Sequence, residues 1–242
     1  MSRNSADLPP RLAVESLGVR FGGLTALDDV SFHINAGEIV ALIGPNGAGK
    51  TTAFNAVCGL VPHQGMVSLD GERMPRRTSA LVSRGVSRTL QALGLFESLT
   101  ARENVAVPLG RRRDAGERAA AQLERLGLAA VADRPVGQQP YPVRKRVALA
   151  RALVTAPRLL LLDEPAGGLA ADEIDELAAT VREAAADGCS VLLVEHHVDF
   201  VMGLADHIVV LDFGRAIAHG TPAEIRDNPQ VEEAYLGVKA AS

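Results

Sequence analysis

Four short apolar runs frame this chain. Ile39-Val40-Ala41-Leu42-Ile43, Leu159-Leu160-Leu161-Leu162, Val191-Leu192-Leu193-Val194 and Ile208-Val209-Val210-Leu211 are each continuous rather than alternating. Runs of this length suit strands buried on both faces of a parallel sheet. Between and after them, apolar residues recur at helical spacing. Ala119, Ala120, Leu123 and Leu126 form one such set. Val143, Val147, Ala150 and Val154 form a second, and Ile174, Leu177, Ala178, Val181 and Ala185 a third. Each set predicts a helix with one inward face. Alternating strands and helices predict a mostly parallel sheet with right-handed crossovers.

This pattern divides the chain coarsely. Residues 1–10 read as a flexible lead-in, and 11–92 as strands, a loop with its helix, and further strands. Residues 93–154 read as a helical lobe, 155–220 as a return to the sheet, and 221–242 as a short helical tail. There is no internal repeat. The 242 residues suffice for one large α/β domain with a sizeable core. Aromatics make up only 3%, so the core is expected to be built from Leu, Val, Ile and Ala. A net charge of −4 gives no support for nucleic-acid binding. Cys58 and Cys189 are the only cysteines and lack metal-type spacing, which fits a reducing cytosol. No apolar stretch approaches the roughly 20 residues needed to span a bilayer, and the polar N-terminus does not read as a signal peptide.

The chemistry begins directly after the first run. Gly44-Pro45-Asn46-Gly47-Ala48-Gly49-Lys50-Thr51 has the pattern of a phosphate-binding loop, in the strand–loop–helix context that motif requires. Glycines let backbone N–H groups turn inward around an anion, and the following helix points its positive end at it. Lys50 can reach the β- and γ-phosphates, and the Thr51 hydroxyl can ligate Mg²⁺. A Gly-rich turn that merely fits the pattern is the competing reading, disfavoured because Lys, Thr and context are all in place. The second element is Asp163-Glu164-Pro165, at the end of the leucine run. Acids at the carboxyl end of a parallel strand lie where such sheets bind ligands. Asp163 can hold Mg²⁺ through a water, and Glu164 is placed to polarise water attacking a γ-phosphate. Alone, the two could be first-turn acids of a helix. Paired with the loop, they read as a site.

Together these motifs resemble the ATPase subunit of an ATP-binding cassette (ABC) transporter, from about Leu12 to Gly237. The resemblance implies a P-loop NTPase core with a mostly parallel sheet, an antiparallel N-terminal β part and a helical lobe. In it, 11–92 and 155–220 would be the nucleotide-binding core of a single domain. It implies that Asn46, Gly47, Ala48, Gly49, Lys50, Thr51 and Thr52 bind ATP. Gln91 resembles the family's Q-loop glutamine, a further Mg²⁺ contact, and His196, directly after Glu195, its switch histidine. Phe21, beside Gly22-Gly23, resembles the aromatic that stacks on adenine. Read singly, Gln91 would be a surface glutamine, Phe21 as readily a core aromatic, and His196 a capping or core histidine. Within the family, Phe21–Leu27, Leu95-Phe96 with Leu99-Thr100, Glu195–Val198 with Val201-Met202, and the ending from Gly220 to Gly237 are similar to branched-chain amino-acid importers. That ending also resembles lipopolysaccharide-export ATPases, and the helical lobe is short for an importer relative.

Three features depart from the family or mislead. The family's signature, Leu-Ser-Gly-Gly-Gln or a close variant, falls on Gln139-Pro140-Tyr141-Pro142-Val143. In the family this element offers N–H groups and a helix N-terminus to ATP held by the other subunit. Pro142 has no N–H, and Tyr141 adds bulk, yet proline at a helix start is tolerated and the helix should form. Ala170 stands where Asp or Asn is usual, weakening a polar link between sites. Arg144-Lys145-Arg146 reads as the solvated face of the helix after the signature, as Arg111-Arg112-Arg113 reads as a solvated loop.

The expected function is an ATPase subunit of an importer for branched-chain amino acids or a related small polar solute, using ATP and Mg²⁺. The resemblance implies transmembrane permease subunits as partners, a second ABC ATPase (a heterodimer favoured by the broken signature) and, indirectly, a periplasmic or extracellular solute-binding protein. Its place would be the cytoplasmic face of the inner membrane, as a peripheral subunit, and the isolated chain would hydrolyse slowly. The alternatives are a weakly hydrolysing partner cassette and a lipopolysaccharide-export-type ATPase. A soluble ABC protein acting on ribosomes or DNA is a third, though those usually carry two cassettes.

Overall fold

The computed structural model describes residues 9–75, 77–89 and 93–239. In order, the chain forms β1 (Leu12–Phe21), β2 (Leu24–Ile34), β3 (Ile39–Ile43), α1 (Lys50–Val57), β4 (Gln64–Leu69), β5 (Glu72–Arg73) and β6 (Val86–Arg88). Then come α2 (Ala101–Ala106), α3 (Ala115–Arg125), α4 (Tyr141–Leu153), β7 (Leu159–Asp163), α5 (Ala171–Ala186), β8 (Ser190–Val194) and α6 (Val198–Leu204). The chain closes with β9 (His207–Asp212), β10 (Arg215–Gly220), α7 (Pro222–Arg226) and α8 (Pro229–Lys239). Short 3₁₀ turns join several of these.

The strands form two sheets. One is antiparallel, in the order β2-β1-β4-β5; the other runs β10-β9-β3-β8-β7-β6. In the second, β9, β3, β8, β7 and β6 are parallel and only the edge strand β10 is antiparallel. The continuous apolar runs are explained by two cores, because successive side chains on a strand point to opposite faces. Ile39, Ala41, Ile43, Leu160, Leu162, Val191 and Leu193 face α4, α5 and α6. Val40, Leu42, Leu159, Leu161, Leu192 and Val194 face α1 and the antiparallel sheet. Neither face of these runs meets water, so apolar side chains fill both. Among the described residues, no helix is long and apolar enough to cross a membrane.

The helical faces hold with small shifts. On α5, Leu177, Ala178 and Val181 are buried as the spacing predicts, and Ala184 is buried with them, while Ile174 and Ala185 are only half-buried against the core. The basic cluster is a correction. Arg144 pairs with Glu97 at 2.7 Å, Lys145 turns inward onto backbone carbonyls, and Arg146 pairs with Glu176 at 3.1 Å. Its face is not free solvent because α4 lies between the 97–126 segment and the turn after β7. Arg111, Arg112 and Arg113 are exposed, as read.

Asn104 on α2 organises the approach to that helix. It is fully buried; its Oδ1 accepts from the Phe96 N–H at 2.8 Å, and its Nδ2 lies 3.0 Å from both the Phe96 and Thr100 carbonyls. Asn104→Ala strands these backbone groups without water, so unfolding free energy should fall by about 2–3 kcal/mol. Urea unfolding monitored by circular dichroism checks this, and an unchanged midpoint would contradict it.

Candidate functional site

The chain leaves β3 at Ile43, turns through residues 44–49 and enters α1 at Lys50. Two glycines make this turn possible. Gly44 has φ +149° and Gly49 φ +102°. A Cβ on Gly44 would lie 2.1 Å from the Leu211 carbonyl, and one on Gly49 would lie 2.7 Å from Leu27. The loop is thus pressed between β9 and the β1–β2 hairpin. No side chain caps α1 at Gly49, which leaves first-turn N–H groups for an anion. Asn46, Gly47 and Thr51 are exposed, Thr52 and Gly49 half-buried, and Ala48 buried. Lys50 lies over its own loop, donating to the carbonyls of Gly44 at 2.7 Å and Pro45 at 2.9 Å. Burial draws its pKa down, with the Glu164 carboxylate opposing.

The neighbouring strands bring the acids to the same edge. β3 pairs with β8, and β8 with β7, so the carboxyl ends of all three converge. Asp163 ends β7, and its carboxyl is pushed up by burial first and then by the charges of Glu164 and Glu195, with Arg88 opposing. Glu164 follows in a left-handed conformation, φ +46°, unusual for a non-glycine residue and held here by its surroundings. Beyond β8, His196 places its Nδ1 3.8 Å from the Glu164 carboxylate. His196 rather than His197 is the ring that makes this approach.

The structure therefore gathers Lys50, Asp163, Glu164 and His196 at one end of the sheet. Phe21 ends β1 with about half of its surface exposed, next to the turn at Gly22, φ +59°. It belongs to the hairpin whose Leu27 touches Gly49. Gln91 lies outside the described residues. Such an arrangement can hold a polyphosphate by backbone N–H groups and an ammonium, with a carboxylate and an imidazole facing the terminal phosphate.

Two side chains that touch this site escaped the sequence reading. Lys145 was assigned to a solvated face, and Glu195 served only as a marker for His196. Glu195 is fully buried. One of its oxygens accepts from the Ala166 N–H at 2.8 Å, the other from the N–H groups of His196 at 2.9 Å and His197 at 3.1 Å. The ligating atoms of Glu195, His196 and His197 lie within 4.8 Å of one another, but both Glu195 oxygens are committed to the backbone. The available signal was a carboxylate directly following the apolar run Val191–Val194.

A family model described as ABC transporter matches residues 27–167. Another, described as branched-chain amino acid ATP-binding cassette transporter, matches 217–241. The chain is 42% identical over 250 residues to the high-affinity branched-chain amino acid transport ATP-binding protein BraF of Pseudomonas aeruginosa, covering 94% of this chain and 98% of that protein. It is 40% identical over 252 residues to LivG of Escherichia coli K12, likewise a high-affinity branched-chain amino acid transport ATP-binding protein, with 94% and 98% covered. The solved ADP conformation of MJ1267, an ATP-binding cassette of an ABC transporter, superposes with a TM-score of 0.86 at 30% identity, covering 95% of this chain and 99% of that one.

Proposed function

Since the chain belongs to the ABC transporter ATP-binding family, we propose that it is the ATP-hydrolysing subunit of an importer for branched-chain amino acids or a related small polar solute. The observation that carries this reading is the convergence of Lys50, Asp163, Glu164 and His196 at the carboxyl ends of β3, β7 and β8. The likeness to BraF and LivG over nearly the whole chain supports the substrate class. Transmembrane work would fall to permease subunits, with this chain on the cytoplasmic face of the membrane.

The residues divide the task. Backbone N–H groups of Gly47, Ala48 and Gly49 and the start of α1 cradle the phosphates. Lys50 leaves the loop carbonyls to meet the β- and γ-phosphates, exchanging neutral partners for charged ones. Phe21 offers a half-exposed ring to the adenine. Glu164 accepts a proton from the attacking water, and His196 donates a hydrogen bond to the γ-phosphate.

The site also fits Mg²⁺. Thr51 supplies a hydroxyl and Asp163 a carboxylate, the oxygen donors a hard cation takes. Burial and the neighbouring carboxylates disfavour the Asp163 charge, with Arg88 opposing, and a cation held there would offset that cost. Bound by Thr51 and Asp163, with Gln91 as a further contact, Mg²⁺ would neutralise charge on the β- and γ-phosphates.

Lys50→Ala tests the reading. Removing the ammonium should weaken MgATP binding at least about tenfold by calorimetry, the scale of one lost charge-assisted contact. Unchanged affinity would show that the loop is not the nucleotide site.

A further inference from the structure

The turn between β7 and α5 is gripped from two sides by opposite charges, a half-buried lysine and a buried glutamate. Lys145, on α4, donates to the carbonyls of Pro165 at 2.7 Å, Glu164 at 3.3 Å and Gly167. Glu195, just past β8, takes the Ala166 N–H and, through its other oxygen, the His196 N–H. An ammonium thus holds three carbonyls of one turn, and a carboxylate holds the N–H of the Pro165–Ala166 peptide between them. The Glu164 N–H completes the set, donating to the Val194 carbonyl at 2.9 Å. Tyr141 closes the α4 side. Its ring lies under the Lys145 ammonium, 5.5 Å from centroid to nitrogen, and its edge would be 3.1 Å from a Cβ on Gly168.

This grip has a target. Glu164 holds a left-handed φ of +46°, a conformation that is costly for a non-glycine residue and persists only where surroundings over-determine it. Both of its backbone polar groups are among the gripped ones. Glu195 touches both the turn that carries Glu164 and the backbone of His196. A fully buried carboxylate requires that its partners be in place, and here the partners of Glu195 and of the half-buried Lys145 are peptide groups of the site itself.

We propose that Lys145 and Glu195 are positioning residues that set the Glu164 carboxylate against the His196 imidazole and fasten α4 to that pair. This rests on the ATPase reading. It also gives residues at the signature helix a role within this chain: Tyr141 and Lys145 act on the chain's own turn.

The test uses the full chain, purified with the subunits that accompany it. Glu195→Gln offers one acceptor oxygen where two are used and turns an NH₂ toward backbone donors. Lys145→Met keeps the length and removes the charge, and Lys145→Arg restores charge and donors. Glu195→Gln and Lys145→Met should each lower kcat about tenfold or more, the scale of small misplacement of a reacting group. The dissociation constant for MgATP should stay within about twofold, since the phosphate contacts lie elsewhere. Lys145→Arg should recover most of kcat. Because both residues act through one turn, the double variant should lose less than the product of the single losses. Amide exchange of the 163–169 peptide should quicken in both variants.

If kcat is unchanged while Glu164→Gln abolishes it, the positioning inference is wrong and the ATPase reading stands. If Glu164→Gln is also fully active, the ATPase reading itself fails. If kcat and affinity fall together, the two residues serve stability alone and the inference is again wrong. Should Glu195→Gln not fold, the Lys145→Met and Lys145→Arg pair decides by the same criteria.

Discussion

Glu164→Gln is expected to keep ATP affinity and lose about 100-fold or more of its turnover, the scale of general-base assistance. The proposed phosphate contacts belong to residues 46–52, which the substitution does not touch. The conformation of Glu164 is set by its backbone, through the Val194 carbonyl and the Lys145 ammonium, so a glutamine of the same shape fits the same strained position. What disappears is a carboxylate able to take a proton, 3.8 Å from His196 and half-open to water. Phosphate release by the assembled transporter and calorimetry with MgATP measure the two quantities separately. Full turnover in this variant would overturn the assignment of Glu164, and a parallel loss of affinity would show that the residue serves binding.

The second large effect concerns the signature. α4 begins at Tyr141, with Pro140 before it and Pro142 at its second position, so the prolines are accommodated and the helix forms. The cost falls on its exposed end. Pro142 has no N–H, and the Arg144 N–H is spent on the Pro140 carbonyl at 3.0 Å. No side chain caps the helix. The end of α4 that would face a partner's ATP therefore presents fewer donors and a bulkier surface than glycines would. Losing one preorganised donor at a phosphoryl-transfer site costs roughly 3 kcal/mol, or about 100-fold in rate. A homodimer would carry this defect twice, a heterodimer once. The expected result is pairing with a second cassette whose signature is intact, and slow hydrolysis by the isolated chain. Pro142→Gly combined with Val143→Gln should raise that isolated activity. Vigorous hydrolysis by the chain alone, indifferent to the double substitution, would remove the idea.

The legible parts of the chain were those where one local requirement dominates. The runs at 39–43, 159–162, 191–194 and 208–211 are apolar throughout because both faces of the sheet are covered, and that demand is written into consecutive residues. The phosphate loop was legible because its glycines answer backbone conformations no other residue tolerates, at φ values such as those of Gly44 and Gly49. Asp163 and Glu164 were legible because they interrupt an apolar run where a strand must end.

Periodicity could not assign the basic cluster on α4. A lysine facing away from the apolar stripe looks solvated until the fold brings another segment over it, and the turn after β7 does so from 20 residues away in sequence. Glu195 carried even less signal, since its three N–H partners come from its own loop and from Ala166, 29 positions earlier. The sequence by itself determined the strands, the glycine turn at 44–49 and the placing of Asp163 and Glu164 at a strand end, because each depends on residues adjacent in the chain. Only the tertiary structure decided which charges are buried and which backbone groups they hold, because desolvation and hydrogen bonding across a turn depend on what packs there.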